Sequence, residues 1–352
     1  MREREPTIEL LRWMVEQYSP SHEERAFSGA LAERLERRGW RARIDEVGNT
    51  VASLGEGPLC IALLGHVDTV PGEVRVRIED RRLFGRGAVD AKGAISAFVE
   101  AAELLEERER AGKQFLLLGC VEEEVAVTRG ALHVRERHRP DFVINGEPSG
   151  AHAVTIGYKG ILRVELESRT GRSHTASSHY RAPAEHIVDT WNTLAKYCND
   201  WNRERSLFEQ SLPSLATFLT GSSETEEWAT AGVNIRTGPS SDSERLLSLL
   251  SGSPAVKARA HSRKEAVSTD GKDGLARAFK QAIRERGARP ALRLKTGTSD
   301  WNTVAAAWQV PMVAYGPGDS SLDHTPHEHI DLDEYEEAVA VLARVLALLP
   351  SP

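Results

Sequence analysis

The sequence predicts an α/β protein whose mostly parallel sheet carries helices on both faces and whose chain is interrupted by an inserted α+β domain. Continuous apolar stretches alternate with helical patterns at both ends of the chain, whereas the central part reads as alternating strands. Strands that are apolar at successive positions are typical of parallel sheets covered on both faces. We therefore expect one domain to comprise residues 1–154 and 270–352 and the inserted domain to comprise residues 155–269.

The N-terminal part predicts two helices and the strands of the parallel sheet. Residues 7–18 and 21–39 have helical apolar spacing, and Ser21 with Glu24 three residues later has the pattern of a capping box. Strand patterns then occur at 41–47, 49–55, 59–70, 115–124 and 141–149, with a glycine-rich turn at 85–93 that leads into a helix.

After residue 150 the pattern of predicted strands changes from continuously apolar to alternating. One alternating strand is predicted at 153–168, helices at 183–205 and 241–251, and a further strand at 254–267. From about residue 270 the α/β pattern resumes with a helix, a glycine-rich turn, a strand and a final helix from about residue 331.

Composition and charge exclude several classes of partner. A net charge of −7 argues against nucleic acid or an anionic membrane, because no overall basic field would hold phosphates. The first ten residues are charged and predict no signal peptide, and no apolar run has the length of a membrane span. The cysteines Cys60, Cys120 and Cys198 lie far apart, so buried free thiols and a cytoplasmic protein are expected.

Side chains that bind metal ions follow several of the predicted strands. In parallel sheets, ligands bind beyond the carboxyl ends of the strands. Each group alone has an ordinary interpretation as a strand end, an acidic turn or a histidine-rich loop. Together, the carboxylates crowded at this edge would repel each other unless a cation neutralised them. The group comprises His66, Asp68, Asp90, Glu122, Glu123, Glu124, Glu147, His324, His327 and His329.

The residue types also limit which metal ions would be expected to bind. Imidazole and carboxylate ligands without thiolate suit zinc, cobalt or manganese. Five ligands suit two metal ions that share a carboxylate, and one further carboxylate must stay free as a general base.

Six motifs in order resemble those of the di-zinc aminoacylase/carboxypeptidase metallohydrolases, which include succinyl-diaminopimelate desuccinylase and acetylornithine deacetylase. The motifs are GHVDTVPG, GRGAVDAKG, EEEV, GEPS, GTSD and DHTPHE, and the resemblance covers essentially the whole chain. It implies two Zn²⁺ ions, for which Co²⁺ or Mn²⁺ could substitute, and a cis peptide bond between Asp90 and Ala91.

The resemblance also implies a role for each of these residues. His66 and Glu147 would bind one ion, Glu124 and His324 the other, and Asp90 would bridge them. Asp68 would orient His66 from behind, as carboxylates do for metal-binding histidines. His324 fits the family spacing because Glu328 follows four residues later, whereas His327 and His329 do not fit.

The triple glutamate admits two registers. If Val125 matches the family valine, Glu123 is the general base and Glu124 the ligand. A shift of one residue would instead make Glu122 the base and Glu123 the ligand. We favour the first register, although Val125–Ala126 departs from the Val-Gly of the family.

The inserted segment resembles the dimerisation or lid domain of the family. The resemblance makes His174, in GRSHTASS, a catalytic residue that reaches across a homodimer to stabilise the oxyanion. Its substrate-binding residues would be Asn234, Arg236, Lys295, Gly297, Thr298 and Ser299.

The implied reaction is amide hydrolysis, with Glu123 as general base. Only 22 residues separate Asp68 from Asp90, and this compact form is most similar to the family branch that releases lysine, or ornithine, from the γ-carboxyl of an acidic amino-group carrier protein in lysine or arginine biosynthesis. We expect an arginine patch for that carrier at Arg75, Arg77, Arg81 and Arg82. The alternatives are a small-molecule deacylase of the acetylornithine or succinyl-diaminopimelate type and a non-catalytic binding protein on the same scaffold.

Overall fold

A computed structural model describes residues 8–350 of the chain, so the charged segment at residues 1–7, where most of the evidence against a signal peptide lies, falls outside the described residues. Within that range the helices are α1 (Ile8–Glu16), α2 (Arg25–Arg37), α3 (Lys92–Leu104), α4 (Glu107–Arg110), α5 (Arg129–Arg137), α6 (Pro183–Asn202), α7 (Ser243–Leu250), α8 (Gly274–Glu285), α9 (Asp300–Val304) and α10 (Leu332–Leu348). The strands are β1 (Arg41–Ile44), β2 (Thr50–Leu54), β3 (Leu59–His66), β4 (Arg77–Glu79), β5 (Arg82–Phe84), β6 (Lys113–Cys120), β7 (Phe142–Asn145), β8 (Ala153–Tyr158), β9 (Gly160–Gly171), β10 (Leu212–Ser222), β11 (Glu226–Thr237), β12 (Lys257–Lys264), β13 (Val267–Ser268), β14 (Ala291–Lys295), β15 (Met312–Ala314) and β16 (His329–Asp331).

The described chain divides into two compact units. The first unit comprises the residues up to Gly157, Ser268–Leu294 and the residues from Ser299 onward. The second comprises Tyr158–Val267 and the short segment Lys295–Thr298. Sequence patterns had placed the boundaries at 154/155 and 269/270 and had left 295–298 in the first domain.

The first unit is built on a mixed sheet whose central strands are parallel. Its strand order is β1-β2-β6-β3-β7-β15-β8-β13, with β14 paired to β8. Strand β3 runs parallel to both β6 and β7, and β15 runs parallel to β7. The α/β fold class with a largely parallel sheet is therefore confirmed.

The centre of this sheet is covered on both faces. Strands β3 and β6 are buried at almost every position, including successive residues that point to opposite faces. Ile61, Leu63 and Leu117 share one continuous apolar core with side chains from α1, α2, α3, α8 and α10. Burial on both faces explains why these strands are continuously apolar in the sequence.

The register of the parallel strands brings the predicted metal ligands to one edge of the sheet. His66, the last residue of β3, lies opposite Cys120, the last residue of β6. On the other side of β3, Leu64 lies opposite Asn145 at the end of β7. Glu122–Glu124 and Glu147 follow these strand ends within four residues, so the chain carries them at the same edge of the sheet as His66.

The strand predicted at 153–168 is in fact two strands that belong to different units. β8 ends at Tyr158 and pairs in the first sheet, whereas β9 starts at Gly160 and pairs with β11 and β12. Between them Lys159 is fully buried, and its ammonium group donates to the main-chain oxygen atoms of Phe208 and Gln210 in the second unit. Alternating hydrophobicity continues through this point, which is why the sequence does not reveal the break.

The second unit is a four-stranded antiparallel sheet with two helices. Its strand order is β10-β11-β9-β12, and β10 and β12 form its edges. Apolar side chains of β9 and β11 pack against those of α6 and α7 in a core separate from that of the first unit. Across residues 8–350, no helix combines the length and the hydropathy needed to cross a membrane.

Truncation of Leu63 tests the importance of the central strand. The side chain is completely buried in β3, so Leu63→Ala should lower the free energy of unfolding by about 2–5 kcal/mol. Leu294→Ala is the matched control, because Leu294 is 48% exposed and its truncation should cost less than about 0.5 kcal/mol. Urea unfolding monitored by circular dichroism measures both. Equal losses would contradict the described core.

Candidate metal centre

Four of the predicted ligands converge at the edge of the first sheet. Single ligand atoms of His66, Asp90 and Glu124 all lie within 4.8 Å of one another. The Nε2 atom of His324 lies 2.9 Å from Oε1 of Glu124 and 3.1 Å from Oδ2 of Asp90. These side chains come from β3, the turn before α3, the loop after β6 and the loop before β16.

Asp90 has the arrangement expected of a bridging carboxylate. Its Oδ1 atom lies 3.0 Å from Nε2 of His66, whereas its Oδ2 atom faces His324. The two oxygen atoms therefore address two different imidazoles. The Asp90–Ala91 peptide bond is cis, as the family resemblance implied.

The structure distinguishes the three consecutive glutamates. Glu124 belongs to the cluster, whereas the carboxylate of Glu122 lies 2.6 Å from Arg129 and 3.5 Å from His22. Glu122 also has a positive φ angle of 60°, which turns the chain between β6 and the following residues. The position of Glu124 in the cluster fits the register that makes it the ligand, and Glu123 as the base stays a prediction.

Glu147 follows β7 by two residues and is partly buried. The paired register of β3 and β7 ends at Leu64 and Asn145, two residues before Glu147. Its main-chain oxygen accepts a hydrogen bond from the Ser149 hydroxyl. The role of Glu147 as a metal ligand stays a prediction.

Asp68 has a broader role in the structure than the sequence indicated. Nδ1 of His66 lies 2.9 Å from the main-chain oxygen of Asp68 and 3.4 Å from its carboxylate. The carboxylate accepts hydrogen bonds of 3.0 Å from the main-chain N–H groups of both Glu123 and Glu124. Asp68 therefore positions the loop that carries Glu122–Glu124, here called the glutamate loop, as well as His66.

Two further residues that support the glutamate loop were misassigned from the sequence. Ser21 and Glu24 had the pattern of a capping box, but α2 starts only at Arg25 and has no side-chain cap. Instead, the Ser21 hydroxyl donates to the Asp68 carboxylate at 2.7 Å, and Glu24 accepts the main-chain N–H of Glu122 at 3.1 Å. Both contacts bridge long sequence separations, which a local capping pattern does not reveal.

Glu328 supports the main chain around Asp90, as Asp68 supports that of Glu123 and Glu124. One of its carboxylate oxygen atoms accepts the main-chain N–H groups of Val89 and Asp90 at 3.0 and 3.2 Å. The other oxygen lies 2.7 Å from Arg86 in a buried ion pair. The sequence used Glu328 only as a spacing marker, and its contact with the Asp90 backbone is visible only in the fold.

Protonation in the cluster reflects its crowded carboxylates. Burial, reinforced by the charge of Asp90, raises the pKa of Glu124 to about 7. Hydrogen bonds to Asp90 and Glu124 raise the pKa of His324 to about 10. Burial opposes the charge on Asp90, but its contacts with His324 and His66 outweigh burial and hold its pKa below the usual range.

The donor set fits metal ions. Ring nitrogens and carboxylate oxygens face one another at hydrogen-bonding distances, so protons occupy positions that a cation could take. Burial, and then the charge of Asp90, raises the pKa of Glu124, so its charged form is disfavoured in this cluster, and a cation would offset that cost. The converging donors are those of His66, Asp90, Glu124 and His324, and the division of ligands between two metal ions stays a prediction.

The second unit contains most of the predicted substrate residues and His174. His174 is exposed, and its Nδ1 atom accepts a hydrogen bond from the main chain of Ala176. Asn234 and Arg236 lie on β11, and Arg236 donates to the Thr298 hydroxyl at 3.1 Å. The structure therefore brings together Arg236 and Thr298, which lie 62 residues apart.

The rest of the Lys295–Ser299 segment is split between the units. Lys295 and Gly297 accompany Thr298 in the second unit, whereas Ser299 belongs to the first. Ser299 is fully buried at the N-terminus of α9, where its main-chain N–H donates to Asn302. The role of Ser299 in substrate binding stays a prediction.

The predicted arginine patch is only partly available to a partner. Arg81 pairs with both Asp333 and Glu336, and Arg77 pairs with Glu79. Arg75 and Arg82 have no ion pair within residues 8–350. Half of the expected patch is therefore neutralised by the protein itself.

Comparisons with known proteins agree with this geometry. A family model described as "Peptidase family M20/M25/M40" matches residues 62–348. The LysW-lysine hydrolase of Deinococcus radiodurans is 39% identical over 352 residues, which cover 97% of this chain and 96% of that protein. The LysW-lysine/LysW-ornithine hydrolase of Sulfurisphaera tokodaii is 30% identical over 285 residues, with coverage of 80% and 78%.

A solved structure shows the same fold. The M20 family metallo-carboxypeptidase Sso-CP2 of Sulfolobus solfataricus superimposes with a TM-score of 0.78 over 96% of this chain and 98% of that chain, at 20% identity.

The contacts of Glu328 generate a first prediction for this site. Glu328→Gln removes the charge that balances buried Arg86, so the free energy of unfolding should fall by about 3–5 kcal/mol. It also weakens the support of Asp90, and metal affinity should fall about 10–100-fold. Urea unfolding and competition with a chelator measure the two effects.

Glu285→Gln is the matched control for Glu328→Gln. Its partner, Arg344, is 44% exposed, so loss of this pair should change the free energy of unfolding little and leave metal affinity unchanged. Unchanged metal binding in both variants would refute the role of Glu328.

The raised pKa of His324 generates a second prediction. Below about pH 10 the metal-free imidazole holds a proton that a metal ion must displace, so apparent metal affinity should rise with pH. The slope should be about tenfold per pH unit for each proton released. Calorimetric titration of zinc in two buffers with different ionisation enthalpies counts these protons. Absence of proton release between pH 6 and 9 would contradict the role of His324 as a metal ligand.

Proposed function

Because this chain belongs to peptidase family M20/M25/M40, we propose that it is a metal-dependent amide hydrolase that releases lysine, or ornithine, from the γ-carboxyl of the C-terminal glutamate of an acidic amino-group carrier protein. The observation that carries the proposal is the full-length similarity to a LysW-lysine hydrolase. We propose that LysW in the names of the relatives is this carrier, which places the reaction in lysine or arginine biosynthesis.

The centre would hold two zinc ions, with cobalt or manganese as substitutes. His66, Asp90, Glu124, Glu147 and His324 would hold them. When bound, they would lower the pKa of the attacking water and polarise the scissile carbonyl.

Glu123 would move the protons of the reaction. Its main-chain N–H is held by Asp68, and the adjacent Glu124 reaches the cluster. The loop therefore presents one glutamate as a ligand and leaves its neighbour as the base. Glu123 would accept a proton from the attacking water and deliver it to the leaving amine.

Residues of the second unit would bind the substrate and stabilise the oxyanion. Arg236 and Thr298 form one hydrogen-bonded group, and a guanidinium suits the carboxylate of a lysine or ornithine product. Asn234, Lys295 and Gly297 would complete this group. Exposed His174 would donate to the oxyanion from a partner subunit.

A homodimer would form through the second unit. Strand β10 lies at an edge of its sheet and exposes Leu215, Phe218 and Leu219. An exposed apolar edge strand favours pairing with another chain. Two copies that pair along β10 would cover these side chains.

A carrier substrate needs a surface for its acidic domain. Arg75 and Arg82 are the members of the predicted arginine patch that remain unpaired among residues 8–350, and we propose that they contact it. The three free cysteines suit the reducing cytoplasm, where carrier and enzyme would meet.

The substrate is tested by measuring amine release from the zinc-loaded protein. Carrier-linked γ-glutamyl-lysine should be hydrolysed with a kcat/KM at least about 100-fold above that of N-acetylornithine or succinyl-diaminopimelate, because only the carrier adds protein contacts (a difference of about 2.7 kcal/mol). Preference for a small acyl amino acid would contradict the carrier as substrate and support the small-molecule deacylase alternative. No hydrolysis of any of the three would favour a non-catalytic binding protein.

The roles of the consecutive glutamates are tested by a matched pair of variants. Glu123→Gln should lower kcat by about 10²–10⁴-fold while the two metal ions remain bound. Glu122→Gln makes the same change in charge beside Arg129 and should retain most of the activity and both metal ions. Loss of activity with Glu122→Gln and loss of one metal ion with Glu123→Gln would establish the other register.

A further inference from the structure

A cavity lies away from the metal centre, toward the other end of the central strands. Its volume is about 670 Å³, within the range of small-molecule sites. Cys60, at the start of β3, lines it, whereas His66 ends the same strand about 20 Å away at 3.3 Å per residue. The lining residues are Glu36, Trp40, Arg41, Ala42, Arg43, Val51, Ala52, Ser53, Cys60, Gln114, Leu116, Arg137, His138 and Arg139.

Strand alternation explains why arginines line this cavity. Arg41 and Arg43 are two residues apart on edge strand β1 and therefore point to the same face of the sheet. They lie opposite Ser53 and Val51 of β2, and Leu116 of β6 lies opposite Ser53 on the other side. Val51 and Leu116 are buried and form an apolar floor between the strands.

The C-terminal end of α5 forms a second basic wall. Arg137 is the last residue of the helix, and His138 and Arg139 follow it. The guanidinium of Arg139 donates to the main-chain oxygen atoms of Arg135, Glu136 and His138, which anchors the wall. Apolar floor and basic walls together are typical of sites for organic anions.

The charge of this cavity is only partly balanced by acidic groups of the protein. Within residues 8–350, Arg43, Arg137 and Arg139 form no salt bridge, and only Arg41 pairs with an acid, Glu56. Elsewhere in the first unit arginines commonly have acidic partners, as at Arg38, Arg81, Arg86, Arg129, Arg286 and Arg344. Unpaired arginines around one cavity are notable in a chain whose net charge is −7.

Few acidic groups lie near the cavity. Asp45 and Glu46 lie 3.7 and 3.1 Å from His133, and the charge of Arg137 acts on Glu46 from beyond ion-pair distance. Glu36 is the carboxylate among the lining residues and is exposed. Asp141 accepts the main-chain N–H of Cys60. Burial, and then the charge of Arg43, lowers the pKa of His138, so its ring is neutral at pH 7 and can accept or donate a hydrogen bond.

We propose that this cavity binds a small organic anion, a carboxylate or a phosphate ester. Arg43 and Arg137 would bind its charged group, and Val51 and Leu116 would contact its apolar body. The site lies wholly within the first unit and shares no residue with the metal centre. It is therefore independent of the proposed amide hydrolysis.

The probe for this test is 8-anilinonaphthalene-1-sulfonate, an aromatic anion whose fluorescence rises on binding. Arg43→Gln/Arg137→Gln in the full-length, zinc-loaded protein should weaken its binding at least tenfold. Arg277→Gln/Arg284→Gln is the matched control, because both arginines are exposed on α8 and have no salt bridge among the described residues. The control should bind the probe as the unchanged protein does, and binding should weaken as salt is added.

Displacement of the probe distinguishes the two anion chemistries. Displacement by 5′-AMP would indicate a phosphate ester, and displacement by citrate a carboxylate. Failure of both, no binding of the probe, or equal binding by the two double variants would each overturn the proposal. Circular dichroism shows whether Arg43→Gln/Arg137→Gln folds, and single Arg43→Gln and Arg137→Gln variants replace it if it does not.

Discussion

The carboxylate of Asp68 is the group on which the arrangement of the metal-ligand residues depends. A carboxylate that is completely buried is costly unless several donors compensate for its charge. Here the compensation comes from the N–H groups of Glu123 and Glu124, from the Ser21 hydroxyl and from the His66 ring. Because these donors lie on three different parts of the chain, one buried charge joins the segment between α1 and α2, the end of β3 and the loop after β6.

The same principle recurs on the other side of the centre. Glu328 accepts the N–H groups of Val89 and Asp90 and pairs with Arg86, so it orders the turn that carries the bridging carboxylate. Neither Asp68 nor Glu328 belongs to the cluster of converging ligand atoms. Both act on the backbone of residues that do, and such support keeps a metal site in one geometry.

The arginines of the molecule differ in whether they form ion pairs with acidic side chains of the fold. Many arginines of this acidic protein are paired within the fold and contribute little free charge. Some of the unpaired ones lie on surfaces for which we propose an external anion. Arg75 and Arg82 belong to the surface proposed for the carrier, and Arg43 and Arg137 line a separate cavity.

The sequence by itself determined the fold class, the strands that end at the metal centre and the residue types found there. It did so because parallel strands buried on both faces are continuously apolar, and because imidazoles and carboxylates after such strands are conspicuous. The tertiary structure decided what depends on contacts between distant segments. Glu122 turns away to Arg129, Ser21 and Glu24 leave their capping pattern for the glutamate loop, and Thr298 joins Arg236. Local periodicity records which face of a strand is buried, but it contains no information about which distant donor will satisfy a buried charge.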